Sequence, residues 1–158
     1  KEYFKKWTDI KWERDFLNLY KQALELVDLP VHDRSVATTL NKQMSIALHL
    51  NSRYLIVSHR SSLKKTIAFI LTLDFEEKLE KYNCTYKGYF SNRNQEKEAL
   101  YIELEYKDLT QLDKEFLDNW KRAIIEEKQR GSRYSMRTCQ NNIIYDRSKN
   151  GGIVDEFV

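Results

Sequence analysis

The sequence predicts an α+β domain: a curled, mainly antiparallel, five-stranded sheet packed with helices in the order α-βββ-α-ββ-α. Three observations predict it. Strand-length segments with a two-residue period come in neighbouring runs joined by short polar turns. Long segments with a 3.6-residue apolar period stand before and after them. A short capped segment interrupts the strands after the third. The 158 residues fit one domain of roughly 100 to 200 residues, expected over 1–131, with 132–158 an irregular extension or the start of a linker.

Ile10, Phe16, Leu17, Tyr20, Ala23, Leu24 and Val27 form the stripe of the first helix, opened by Thr8 as cap. Asp28-Leu29-Pro30 stops it, because proline disfavours helical geometry in the residue before it. After a polar connector, Met44, Ile46, Leu48 and Leu50 alternate with Ser45, Ala47 and His49. Asn51-Ser52 turns this strand into a second one over 54–58, and a charged loop leads to a third, marked by Ile67, Phe69, Leu71 and Leu73. Asp74 and Glu77 resemble a capping box for a short helix over 75–82. Segments 85–90 and 98–106 flank Ser91-Asn92-Arg93-Asn94-Gln95 as a second hairpin with one wet face. Thr110 caps the last helix, whose face is Leu112, Phe116, Leu117, Trp120 and Ile124 and whose end is Gly131.

Composition excludes several classes. With 41% hydrophobic and 32% charged residues, four glycines and one proline, the chain is neither collagen-like nor disordered. Its longest apolar run, over 66–73, is strand-sized, so no membrane partner is expected. The chain starts at Lys1 without a leader, which reads as a piece of a longer cytoplasmic protein with further domains beyond its C-terminus. Cys84 and Cys139 lack metal-ligand spacing and read as buried, reduced thiols, so no metal is expected. There is no P-loop and no dinucleotide fingerprint, so no cofactor is expected either.

No catalytic set announces itself. Glu105 and Lys107 at a strand end have the spacing of a metal-dependent nuclease, but the companion acid must come from Asp74 or Glu103. His32, His49 and His59 stand at no motif-defined distance from a nucleophile. The loop Ser58-His59-Arg60-Ser61-Ser62-Leu63-Lys64-Lys65 packs three fixed positive charges among three hydroxyls, a composition suited to phosphate oxygens and equally to a solvated hairpin loop. Beside it on a twisted sheet, Lys87, Tyr89 and Arg93 would add cations and a ring for stacking on bases. A second basic group, including Lys121, Arg122, Lys128 and Arg130, closes the last helix, where cations also complement the helix dipole. The net charge of +3 is too balanced to prove an anionic partner. Ten tyrosines exceed what a core of this size needs and suit a binding surface.

The stretch Met44-Ser45-Ile46-Ala47-Leu48-His49-Leu50-Asn51-Ser52-Arg53-Tyr54-Leu55-Ile56-Val57-Ser58 resembles the strand-turn-strand pattern in N-terminal specificity domains of McrB-like modification-dependent restriction proteins. The resemblance extends loosely from Asp33 to about Arg130. It implies a DNA-recognition domain ahead of a motor domain, recognising modified cytosine. It makes Trp12, Tyr54 and Tyr89 candidate pocket walls, and Arg60, Lys64, Lys65 and Arg93 backbone contacts. The sequence thus leads to a non-catalytic DNA-recognition domain of a restriction or defence protein. A protein-interaction or scaffold domain is the alternative, and a metal-dependent nuclease stands third.

Overall fold

The computed structural model describes residues 10–30, 33, 35–40, 45–60 and 65–130, with only the backbone of 10–13, 40 and 60. The elements are α1 (Ile10–Val27), β1 (Val36–Leu40), β2 (Ile46–Leu50), β3 (Arg53–Arg60), β4 (Lys65–Leu71), a 3-10 helix (Leu73–Lys81), β5 (Cys84–Ser91), β6 (Lys97–Glu105), a second 3-10 helix (Tyr106–Gln111) and α2 (Lys114–Arg130). The strands form one open antiparallel sheet in the order β1-β2-β3-β4-β6-β5. No described helix is long and apolar enough to cross a membrane.

The α+β class and the antiparallel sheet stand, but the sheet has six strands where the sequence predicts five. The sixth is β1, which falls in the stretch read as a polar connector. Thr38 and Thr39 give it that look, yet Thr38 is buried and its hydroxyl lies 2.5 Å from the phenol of Tyr20. A satisfied hydroxyl on a β-branched residue is compatible with a core-facing strand position. The short helix expected over 75–82 is the 3-10 helix Leu73–Lys81, with Phe75 and Leu79 buried. Thr110 lies in the second 3-10 helix, and Asp113 caps α2 by accepting the N–H of Phe116 at 3.0 Å.

Side chains alternate across the sheet, so its two faces differ. Leu48, Ile56, Phe69, Ile102 and Leu104 face the helices and join Phe16, Leu17, Tyr20, Phe116 and Trp120 in one core. The ring of Phe69 meets those of Phe116 (5.2 Å) and Trp120 (5.6 Å) edge-on, the arrangement their quadrupoles favour. The Trp120 indole N–H donates to the carbonyl of Leu55 at 3.0 Å. Leu55 is the extra residue of a bulge opposite Leu48 and His49, which takes it out of the β2–β3 ladder.

The β2–β3 turn is Asn51-Ser52, as the sequence predicts. Their φ values of 55° and 63° suit the left-handed two-residue turn that matches strand twist. Arg53 follows directly and is buried with Glu127 (3.1 Å) and Glu98 (2.6 Å). Arg130 joins them at 2.5 Å from Glu127, while the Asn51 amide donates to the Glu127 carbonyl at 3.0 Å. This cluster ties the hairpin tip to the last turn of α2. It engages Arg130 of the basic group predicted there, as Asp74 and Glu126 engage Arg122.

Candidate recognition surface

On the face turned away from the helices, the small residues Ala47, Val57 and Ala68 form a separate buried cluster packed by Tyr101. Their registers, Ala47 opposite Val57 and Val57 opposite Ala68, lay this floor across three strands. Small side chains leave room above them for rings anchored on neighbouring strands. The rings form a continuous band: His49 to Tyr54 (4.5 Å), Tyr54 to Tyr101 (6.1 Å), and Tyr101 to both Tyr86 (5.9 Å) and Phe90 (5.4 Å). Tyr54 and Tyr86 are 38% and 54% exposed. Gly88 makes room for the second of these, since a Cβ there would come within 2.8 Å of the Tyr86 hydroxyl.

The inner rings are held in fixed states. Burial lowers the His49 pKa to about 4, so the imidazole is neutral at neutral pH, and its Nε2 lies 2.8 Å from the Thr39 hydroxyl. Burial, reinforced by the charge of Glu103, pushes the Tyr101 phenol well above its ordinary value, and its hydroxyl lies 3.5 Å from His59 Nε2. Glu103 sits opposite Tyr86 and accepts the Thr66 hydroxyl at 2.5 Å.

The sequence-derived site residues divide between the two faces. Tyr54 belongs to the aromatic band. Tyr89 and Lys87 pair in register with Leu100 and Ile102, on the side of the helices. Tyr89 donates to the Glu76 carboxylate and carries the Lys97 ammonium 3.8 Å from its ring centre, while Lys87 is 2.9 Å from Glu76. The expected neighbourhood of Lys87 and Tyr89 with the β3–β4 loop therefore does not form on the face of Tyr54. Lys65 begins β4 at one end of the strands, and Arg93 occupies the β5–β6 turn at the other. Arg60 ends β3 opposite Lys65. Its side chain, Lys64 and the side chain of Trp12 in α1 lie outside the described residues.

The nuclease grouping forms only in part, since Glu103 and Glu105 share a face of β6 but Asp74 does not join them. Glu105 is 3.1 Å from Lys107. Asp74 stands beyond the other end of β4, where the Thr72 hydroxyl and then Arg122 keep its carboxyl below the usual range. Among the described residues, no three His, Cys, Asp or Glu side chains gather as metal ligands would. Cys84 is half-buried and its thiol pKa is raised by that burial; Cys139 lies outside the described residues.

Sequence reasoning missed Tyr86, Phe90 and Tyr101 as site residues. Their signal was parity: Tyr101 shares its strand face with Glu103, read only as wet, and only the β5–β6 register joins that face to Tyr86 and Phe90. No family model, curated protein or solved structure matches this chain.

Proposed function

We propose that this chain is a non-catalytic DNA-recognition domain of a larger restriction- or defence-type protein, and that it takes bases onto the aromatic face of its sheet, which no described helix covers. The observation that carries the reading is the ring band running from His49 through Tyr54 and Tyr101 to Tyr86, with its two most exposed members on a face against which no described helix packs. Stacking on rings is tolerant of base identity and contributes about 1–3 kcal/mol per base. It requires bases that are unpaired or turned out of a duplex, because paired bases hide their faces. Lys65 and Arg93 stand at the two ends of the strands, where cations can pair with a nucleic-acid backbone.

The test is a titration of labelled single strands and duplexes, with and without cytosine modification, at two salt concentrations. Binding that weakens as salt rises, and that drops about tenfold or more in Tyr54→Ala/Tyr86→Ala, is the expected result. Failure of every oligonucleotide to bind at low salt removes the reading. One observation favours the alternative of a protein-interaction domain: the charge beside the rings that no described cation pairs is the carboxylate of Glu103, since Glu105 is paired with Lys107 and Lys87 with Glu76. A surface of that kind suits a partner chain with a basic segment.

A further inference from the structure

We propose that Glu103 is the specificity-determining residue of the aromatic face, favouring bases that present an amino group, cytosine and adenine, over thymine, which presents a carbonyl. The inference rests on the stacking reading above. Glu103 stands in register with Tyr86, two residues along β6 from Tyr101, so its carboxylate borders the rings on which a base would lie. Thr66, on β4, donates its hydroxyl to Glu103 Oε1 at 2.5 Å, which orients the carboxylate and leaves Oε2 to accept another donor.

The sheet's other glutamates are engaged by cations: Glu98 by Arg53 and Arg130, Glu105 by Lys107. Among the described residues Glu103 accepts the Thr66 hydroxyl and forms no ion pair. An ionised carboxylate is an acceptor only. It gains a charge-assisted hydrogen bond from the exocyclic amine of cytosine or adenine, whereas thymine's one ring donor, N3–H, is flanked by the O2 and O4 carbonyls, which repel a carboxylate. The neighbouring phenols do not replace it in this role, since Tyr101 is held protonated and its hydroxyl is turned toward His59.

The experiment measures anisotropy of labelled oligo(dC), oligo(dA) and oligo(dT) with the whole chain at low salt and slightly alkaline pH. Wild type is expected to bind oligo(dC) and oligo(dA) about tenfold more tightly than oligo(dT). Glu103→Gln, whose amide can donate as well as accept, is expected to lose that preference mainly by gaining affinity for oligo(dT). Equal binding of all three by wild type, or an undiminished preference in Glu103→Gln, overturns the assignment of Glu103 while leaving the stacking reading intact. Absence of binding by every oligomer overturns both. Thermal unfolding of Glu103→Gln alongside wild type checks that the variant is folded, and Glu103→Ala supplies a second variant, expected to lose the preference as well.

Discussion

The helix-covered face of the sheet and the face that the described helices leave open are built by the same strands, residue by alternate residue, yet bury their side chains in different ways. The covered face fills space with large groups from distant elements, Phe69 against Phe116 and Trp120. The open face has a floor of Ala47, Val57 and Ala68, with rings from its own strands around it. The difference teaches that burial has two meanings here. Beneath the helices it is the source of stability, whereas on the open face it sets the state of rings whose outer members remain exposed.

Two substitutions should break this comparison most forcefully if it is wrong. Phe69→Ala removes the ring at the centre of the covered face and is expected to cost about 3–5 kcal/mol, read by urea unfolding. Tyr54→Ala, on the open face, is expected to cost under about 1 kcal/mol. Equal losses would mean that both faces carry the core. Glu127→Ala leaves Arg53 and Arg130 with Glu98 alone in a buried cluster and is expected to cost about 3–5 kcal/mol. A loss below about 1 kcal/mol would show the cluster to be hydrated and of little structural weight.

His49 offers the next largest effect, through pH. Its folded pKa of about 4 lies below its ordinary 6.5, so above pH 6.5 both folded and unfolded chains carry a neutral ring and this group imposes no penalty. Between 6.5 and 4 the unfolded chain takes up a proton that the native ring resists. Stability therefore falls as pH falls through that window, by up to about 3 kcal/mol, and below it the group adds no further loss. Urea midpoints of wild type and His49→Gln across the window should diverge in slope, the variant being flatter. Parallel profiles would place His49 in water.

How much of this was legible in the sequence follows from which signals are local. The Asn51-Ser52 turn, the stop at Pro30 and the stripes of both long helices depend on neighbours in the chain, and each was readable. β1 was not, because whether Thr38 reads as connector or core depends on the phenol of Tyr20, on another element. The site was less legible still. Tyr89 and Tyr86 are three residues apart on one strand, but the irregular register between Cys84 and Tyr86 and the pairing with β6 decide which of them joins Tyr101. Lys87 looked available for phosphate until the 3-10 helix brought Glu76 to it.

The smallest expected effect sharpens the comparison most, because it separates stability from ring placement. Gly88 lies under the Tyr86 hydroxyl, and a Cβ there would come within 2.8 Å of it. The clash is with the far end of a side chain half exposed to solvent, so the ring can swing away without disturbing the strand. Restricting the unfolded chain stabilises Gly→Ala replacements by about 0.4–1 kcal/mol where the backbone tolerates them. Gly88→Ala is accordingly expected to keep its unfolding midpoint within about 1 kcal/mol of wild type, while the near-ultraviolet dichroism of its tyrosines changes. If bases stack on Tyr86 where Gly88 lets it lie, the same variant binds oligonucleotides more weakly although it is no less stable. Unchanged affinity with changed dichroism would show that the position of this ring is immaterial to recognition and shift the weight of the face onto Tyr54 and Tyr101.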